Sequence, residues 1–268
     1  MWNWITELND LQKNVRPIQP VVLVTVTRCS GSTPRDPGTK MIVFKDGDIR
    51  GTIGGGRLEE LAIQDAKVCI EANATARTIT YPLGAKTGQC CGGVVELLME
   101  VLFNGPHLYI FGAGHVGQAL SRTMAGTPFL VHLVDEREEW IQSDQIPEGA
   151  VRYSDGWEDF IESAPWDAKK TYSVIMTHRH DLDQQILEKL LDRNACYIGL
   201  IGSKPKWVRF SQRLQARQVP SEKLARVKCP IGIPFGGKSP QEVAISVSAE
   251  ILSHYYGMQS IRSNVQLI

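Results

Sequence analysis

The sequence HLYIFGAGHVG, residues 107–117, decides the fold of this chain. Its apolar start leads into a G-x-G-x-x-G pattern formed by Gly112, Gly114 and Gly117, and a segment with helical spacing follows. A second apolar run then ends at Asp135. Strand, glycine turn, helix, strand and acid in this order are typical of a dinucleotide-binding Rossmann fold. The turn predicts a phosphate cradle at a helix N-terminus, which anions other than NAD(P) can also use.

Two domains are expected in this chain. Beyond the glycine turn, apolar strands alternate with amphipathic helices, which predicts a doubly wound parallel sheet over residues 105–268. Residues 1–104 instead combine β-branched runs, glycine-rich loops and a helix, which predicts a smaller mixed α/β domain. The pair Gly105-Pro106 interrupts regular structure and marks the boundary.

Composition excludes several classes of protein. The 268 residues carry 29 basic and 29 acidic side chains, so we expect no binding to nucleic acid or to a membrane surface. The N-terminus lacks the pattern of a secretory signal, and no apolar run is long enough to span a bilayer. Six scattered cysteines in an ordinary composition favour reduced thiols in a cytoplasmic protein.

Two loops of the first domain carry residues suited to anions. Arg35 follows a loop rich in glycine and hydroxyl side chains, and its guanidinium could bind phosphate or carboxylate. An ordinary loop with a solvated arginine fits equally well. The triplet Gly54, Gly55 and Gly56 opens a helix and forms a second candidate cradle. Glu59, in the first turn of that helix, either complements the helix dipole or belongs to the binding site.

A pair of adjacent cysteines, Cys90 and Cys91, lies in a further glycine-rich loop. With Lys86 nearby, either thiol could have a lowered pKa and act as a nucleophile or as a soft-metal ligand. Two loop thiols without a function remain the alternative. Cys69 and Cys196 lie in apolar segments and are expected in the core.

Two histidines, His178 and His180, follow a predicted strand of the second domain. Their spacing resembles that of binuclear zinc hydrolases, but Leu182 and Asp183 stand where that pattern needs Asp and His, so we do not expect zinc. At the end of a parallel strand, one of these histidines could still contact a ligand.

Taken together, the motifs resemble the XdhC/CoxI family of xanthine dehydrogenase accessory proteins along nearly the whole chain. The segments that carry the resemblance are Gly31–Arg35, Gly51–Gly56 with Leu58-Glu59, Cys91–Gly93, Phe111–Val116, Asp135–Arg137, Thr177-His178, Gly199–Lys204, Pro230–Gly232 and Ser239–Glu242. In the last segment, Ser239 and Glu242 also form the pattern of a helix capping box.

The resemblance implies a cytoplasmic chaperone of the molybdenum cofactor (molybdopterin) that serves purine catabolism. Such a protein holds the cofactor while a cysteine desulfurase supplies a sulfido ligand, and delivers it to the molybdenum subunit of apo-xanthine dehydrogenase. We expect no catalytic residues of its own, and a homodimer. The implied site is a cleft between the two domains, with Cys91 as a candidate molybdenum contact. Its remaining residues would be Arg35, Gly54, Gly55, Gly56, Glu59, Gly112, Gly114, His115, Gly117 and Asp135.

Two alternatives stay open at this point. An NAD(P)-dependent oxidoreductase would use the same glycine turn, with Asp135 on a ribose hydroxyl and His178 or His180 as the acid–base group. A scaffold for the desulfurase alone would leave the Rossmann crevice without a ligand.

Overall fold

The structure is a computed structural model that describes residues 3–14, 19–72, 74–84 and 92–257. The chain forms two compact units, Met1–Asn104 and Gly105–Ile268. Each unit has its own sheet and its own hydrophobic core. Within the described ranges, the structure contains no helix with the length and apolar character needed to cross a membrane.

The first unit is an antiparallel sheet covered by a helix on each face. Its described elements are α1 (Trp4–Asn14), β1 (Val21–Ser30), β2 (Lys40–Phe44), β3 (Ile49–Gly51), α2 (Gly56–Glu71), β4 (Ala76–Pro82) and β5 (Val94–Leu102). The strands lie in the order β3-β2-β1-β5-β4. Side chains alternate across β1, so that Val22 and Val24 pack in the core that includes α2, whereas Val21 and Leu23 pack with Leu11 of α1.

The second unit is a parallel sheet of six described strands with helices on both faces. Its described elements are β6 (His107–Phe111), α3 (His115–Met124), β7 (Leu130–Val134), α4 (Glu138–Ile141), β8 (Val151–Tyr153), α5 (Trp157–Ser163), β9 (Thr171–Ile175), α6 (His180–Leu190), β10 (Tyr197–Leu200), α7 (Lys204–Ala216), α8 (Ser221–Ala225), β11 (Val227–Lys228) and α9 (Pro240–Tyr255). The strand order is β11-β10-β9-β6-β7-β8.

This order is that of a Rossmann fold, because the chain starts in the middle at β6, runs outward to β8, and returns to β9 on the other side of β6. Helices α3 and α9 contribute to one core, and α5, α6 and α7 contribute to the other. The predicted doubly wound parallel sheet and the mixed α/β unit that precedes it are therefore confirmed.

Two glycines of the decisive stretch allow unusually close packing at the end of β6. A Cβ atom on Gly117 would lie well inside van der Waals contact of the carbonyl oxygen of Gly112. Gly112 has a φ of 116°, and a Cβ there would lie 2.5 Å from the carbonyl oxygen of Met176. Only glycine fits both places, so α3 begins directly above the end of β6, with β9 close beside it.

We predict that Gly117→Ala destabilises the second unit by about 2–4 kcal/mol, because a methyl group would have to displace backbone. Gly114→Ala is the matched control, since Gly114 has a φ of −65° and a Cβ there meets nothing within 4 Å. That variant should lose about 1 kcal/mol or less. Urea unfolding followed by circular dichroism measures both, and equal losses would contradict this account of the packing.

A buried pair of histidines lies inside the sheet of the second unit. The Nδ1 atom of His107, on β6, is 3.0 Å from the Nε2 atom of His132, on β7. His107 is 8% exposed and His132 is 1% exposed. Burial lowers the pKa of His107 from 6.5 to about 4, and it also lowers the pKa of His132 well below 6.5. Both rings are therefore neutral in the folded unit near neutral pH.

Acid should destabilise the second unit through this pair. Below pH 6.5 the unfolded chain binds protons that the folded unit excludes, so the free energy of unfolding falls as the pH decreases from 6.5 toward about 4. Each excluded proton contributes up to about 1.4 kcal/mol per pH unit. Urea unfolding across this range should give a shallower pH dependence for His132→Gln. His178→Gln, which removes an exposed histidine from the same unit, supplies the control. An unaltered slope in His132→Gln would refute the explanation.

Candidate functional site

A cavity of about 380 Å³ opens at the carboxyl edge of the parallel sheet, beside the point where β6 separates β7 from β9. In open α/β sheets this switch point is where ligands bind. The cavity belongs entirely to the second unit. Its lining residues are Gly112, Val134, Asp135, Glu136, Arg137, Trp157, Thr177, His178, Arg179, Leu182, Gln185 and Ile186. We call this cavity the crevice.

The glycine turn forms one edge of the crevice and leads directly into α3. The N–H of Gly112 donates to the carbonyl of Val134, which ties the turn to the neighbouring strand. Gly114 is the N-cap residue of α3, and no side chain of the described residues caps this helix there. The N–H groups of a first helical turn have no partner inside their own helix. An anion at the start of α3 would therefore meet N–H donors and the positive end of the helix dipole.

Asp135 forms hydrogen bonds to the glycine turn and to Arg137, and these occupy the carboxylate that a ligand would otherwise contact. Its Oδ2 accepts from the N–H of Ala113 at 2.8 Å and from Nη2 of Arg137 at 2.6 Å. Its Oδ1 accepts from the backbone N–H of Arg137 and from its Nε. Burial alone would raise the pKa of Asp135, but the hydrogen bonds from Arg137 and Ala113 outweigh it and keep the pKa below its ordinary value. The carboxylate is thus charged, and both of its oxygens are occupied.

An aromatic ring connects Arg137 to the start of α3. The guanidinium carbon of Arg137 lies 5.1 Å from the ring centre of Trp140. The ring of His115 meets the same indole edge-on, with 4.9 Å between centres. His115 is exposed, so it is held near the turn by this contact while its polar atoms stay accessible.

On the opposite side of the crevice, a buried ion pair positions Thr177. The N–H and the hydroxyl of Thr177 both donate to Oδ1 of Asp183, at 3.0 and 2.7 Å. Oδ2 of Asp183 accepts from Nζ of Lys206 at 2.7 Å, and the side chains are 1% and 11% exposed. Lys206 also donates to the carbonyl of Ile201. His178, the residue after Thr177, is exposed and lines the crevice. The pair therefore fixes the turn that carries His178.

The first unit brings its own predicted residues together. A Cβ on Gly54 would lie 2.5 Å from Cγ of Pro34 and 3.6 Å from Cγ of Arg35, so the glycine turn packs against the arginine loop. Arg35 itself is exposed. In the same loop, the Cβ position of Gly31 lies 3.5 Å from the carbonyl oxygen of Gly92. The arginine loop therefore meets both the glycine turn and the chain that follows Cys91.

Glu59 fills the glycine turn of the first unit with its own carboxylate. Its Oε1 accepts from the N–H groups of Ile53, Gly54 and Gly55 at 3.0, 3.2 and 2.8 Å, and from the hydroxyl of Thr52. Burial alone would raise the pKa of Glu59, but these hydrogen bonds lower it below 4.5. The carboxylate thus occupies the position that an external anion would take at this turn.

The six cysteines fall into three groups. Cys90 and Cys91, the predicted soft-metal ligands, lie outside the described residues. Burial raises the pKa of Cys69, and it raises the pKa of Cys196 and of Cys229 to about 11, so these three thiols are protonated near neutral pH. Cys29 donates to the carbonyl of Arg35 through its Sγ. The described residues contain no cluster of three or more His, Cys, Asp or Glu side chains that could hold a metal.

The predicted site residues thus fall into two local groups. Gly112, Gly114, His115, Gly117 and Asp135 meet at the start of α3 in the second unit. In the first unit the group is Arg35, Gly54, Gly55, Gly56 and Glu59. Four residues that line the crevice or support its walls were missed: Trp157 and Trp140 carry no motif, and Asp183 and Lys206 are too far apart in sequence to suggest a pair. The only sequence feature that could have indicated this region was the presence of polar residues directly after predicted strands.

A parallel sheet with a glycine turn at its switch point defines a Rossmann-fold protein. The sequence narrows this class further. Residues 108–251 match the XdhC Rossmann domain, and residues 15–82 match the XdhC and CoxI family. The chain therefore belongs to the XdhC and CoxI family, and the resemblance inferred from its motifs is confirmed.

Three curated proteins are similar to the chain. It is 30% identical to YqeB of Escherichia coli over 87% of the chain and 43% of that protein. It is 31% identical to a protein of Bacillus subtilis named as a probable xanthine dehydrogenase subunit, over 55% of the chain and 42% of that protein. With the molybdenum cofactor insertion chaperone PaoD of E. coli the identity is 23%, over 87% of the chain and 82% of PaoD. The chain thus spans less than half the length of the first two relatives.

A solved structure shares the fold. The crystal structure of a xanthine dehydrogenase from Bacillus halodurans aligns with 97% of this chain and 98% of its own, with a TM-score of 0.50 and 22% identity. At this level of identity the likeness concerns the fold alone.

We predict that Glu59→Ala lowers the free energy of unfolding of the first unit by about 1–3 kcal/mol, because the N–H groups of Ile53, Gly54 and Gly55 all lose the carboxylate that accepts from them. Inorganic phosphate should raise the thermal midpoint of the first unit in this variant and leave that of the first unit in the wild type unchanged, since only the variant has an open turn in this unit. Glu60→Ala is the matched control. Glu60 is exposed and pairs with Arg57, so its loss should cost about 0.5 kcal/mol or less. Equal stability of the two variants would contradict the structural role of Glu59.

Proposed function

We propose that this protein is a molybdenum cofactor chaperone that holds the cofactor and delivers it to an apo-xanthine dehydrogenase. The observation that carries the proposal is the crevice of an XdhC Rossmann domain, with the uncapped start of α3 at its edge. The cofactor carries a phosphate, which suits the N–H donors of the first turn of α3. Delivery to a partner rather than turnover fits a site whose two buried carboxylates, Asp135 and Asp183, are already paired.

The residues around the crevice would have distinct parts in holding this cargo. Gly114 and His115 would face the phosphate at the helix start. Asp135 and Arg137 would act on the turn rather than on the cargo, because their charges satisfy each other. Thr177, fixed by Asp183, would keep His178 at the crevice wall.

The relatives support the accessory role. PaoD, which this chain matches over most of its length, is named as a molybdenum cofactor insertion chaperone, and the B. subtilis relative is named as part of a probable xanthine dehydrogenase. We extend the proposal to sulfuration of the held cofactor by a cysteine desulfurase, with Cys91 near the metal. Arg35 and the turn Gly54–Gly56 are proposed as further cofactor contacts in the first unit.

Nicotinamide binding is the less favoured alternative. In a dinucleotide site the acid after the second strand of the Rossmann sheet accepts from a ribose hydroxyl. Asp135 holds that position, but its oxygens accept from Ala113 and Arg137. A ribose would have to displace an ion pair of which the carboxylate is 7% exposed. NAD and NADP therefore serve as competing ligands in the test below.

We predict that the purified protein binds molybdenum cofactor and that Gly114→Asp weakens this binding at least about tenfold. An aspartate at the N-cap would cap α3 itself and would repel a phosphate there, while the fold keeps its stability. Gly114 has extended backbone angles and room for a side chain, so the variant should fold. Fluorescence titration with the cofactor, and separately with NAD and NADP, measures the affinities.

The control places the same charge at another helix start. Pro220 is the N-cap residue of α8, which precedes β11 and so lies at the amino edge of the sheet. Pro220→Asp should bind the cofactor as the wild type does. Absence of cofactor binding by the intact protein would end the chaperone proposal, and micromolar affinity for NAD or NADP would favour the oxidoreductase. Cys91→Ala, titrated in parallel, tests the thiol contact on its own.

A further inference from the structure

A second, larger cavity of about 930 Å³ lies in the second unit, bordered by α7, β11 and the start of α9. The segment between β11 and α9 includes Pro230–Gly232, a family motif that the proposed cofactor site does not use. The lining residues are Lys204, Trp207, Val208, Val227, Lys228, Cys229, Pro230, Ile231, Gly232, Ile233, Pro234, Gly236, Gly237, Val243 and Ser246. We call this cavity the basic groove.

The groove is apolar inside and carries apolar side chains in contact with solvent. Val208, in its lining, is 51% exposed, and Phe235, between two lining residues, is 54% exposed. Burial raises the pKa of the lining thiol Cys229 to about 11, which makes that wall effectively uncharged. Exposed apolar side chains around a concave surface are typical of a site where another molecule docks.

The charged side chains in the lining of the groove, Lys204 and Lys228, are both positive. Residues 204–228 contain eight basic side chains and one acidic one, although the whole chain has no net charge. Carboxylates of α6 and of the turn that follows it neutralise part of this excess, through Asp183 with Lys206, Glu188 with Arg217 and Asp192 with Lys223.

Two lysines in the lining of the groove are not neutralised by any of these ion pairs. Across the described ranges, Lys204 and Lys228 have no carboxylate within ion-pair distance, and the groove lining includes no acid. Both side chains are exposed. The groove thus combines an apolar floor with uncompensated positive charge at its borders.

We propose that the basic groove binds a short segment of the protein that receives the cofactor, and that this segment carries apolar side chains flanked by carboxylates. Apolar side chains would fill the space around Trp207, Ile231 and Val243. Carboxylates would pair with Lys204 and Lys228, which adds orientation and speeds association. The inference rests on the proposed function only for the identity of the partner.

Charge and apolar complementarity favour an acidic, apolar protein segment in the groove over a second copy of the chain and over a nucleic acid. A second copy of the chain, docked about a twofold axis, would bring the same positive surface against itself. A nucleic acid would match the lysines but would leave the apolar floor and the exposed Phe235 without a use.

The test measures two affinities for each of four proteins: the wild type, Lys228→Glu, Val208→Glu and Lys169→Glu. One affinity is for molybdenum cofactor, and the other is for the apo-form of the xanthine dehydrogenase molybdenum subunit, by biolayer interferometry at two ionic strengths. Lys169 is an exposed residue just before β9, at the opposite edge of the sheet, and supplies the matched charge reversal. Thermal unfolding verifies that all four are folded, and sedimentation velocity gives their oligomeric state.

We expect Lys228→Glu and Val208→Glu to weaken association with this apo-protein by about tenfold or more and to leave cofactor affinity within about twofold. Lys169→Glu should behave as the wild type, and higher salt should weaken the wild-type association.

Unchanged association in both groove variants, or no association of the wild type, would overturn the docking proposal. A dimeric wild type that becomes monomeric on Lys228→Glu would also overturn it, because the groove would then be a contact between copies. Groove-dependent association without any cofactor binding would instead remove the proposed function and leave the docking surface intact.

Discussion

The close approach of Gly117 to the carbonyl of Gly112 sets the geometry of the second unit at its functional edge. Without side chains at these positions, α3 begins directly at the end of β6, and β9 runs close beside it. The N–H of Ala113 then points toward β7 and donates a hydrogen bond to Oδ2 of Asp135. The crevice wall, the direction of the α3 dipole and the hydrogen bond from Ala113 to Asp135 all depend on this one backbone contact. A local steric constraint thereby determines the electrostatics of the site.

The buried charges of this unit are paired within the protein. Asp135 with Arg137 forms one wall of the crevice, and Asp183 with Lys206 supports the other. A buried carboxylate without a partner would be strongly destabilising, whereas a paired and hydrogen-bonded one fixes the groups around it. The carboxylates of these pairs therefore hold backbone in place, and in the proposed function they leave ligand recognition to N–H groups and to His115 and His178. Such an arrangement suits retention and release of a cargo better than acid–base chemistry on it.

How far the sequence predicts this structure depends on the range of the interactions. The glycine turn and the capping box of Ser239 and Glu242 were predictable, because both are local patterns with one dominant geometry, and the structure contains both. The pair Asp183–Lys206 was not, because it joins residues brought close only by the parallel pairing of β9 with β10. For Glu59 the sequence left two readings, and only backbone coordinates place its carboxylate on the turn. Whether the predicted residues bind the cofactor stays a prediction.

The carboxylate of Glu59 is, in effect, an intramolecular ligand of the first glycine turn. Glu59 lies only four positions after Gly55, so the effective concentration of this ligand is on the order of millimolar or above. A free anion at a lower concentration cannot compete with it, which protects the turn from the inorganic phosphate and small metabolites of a cell. A larger ligand anchored elsewhere on the protein would itself have a high local concentration and could displace the carboxylate. In the proposed function, the tether would make the turn selective for multivalent ligands without any further contact.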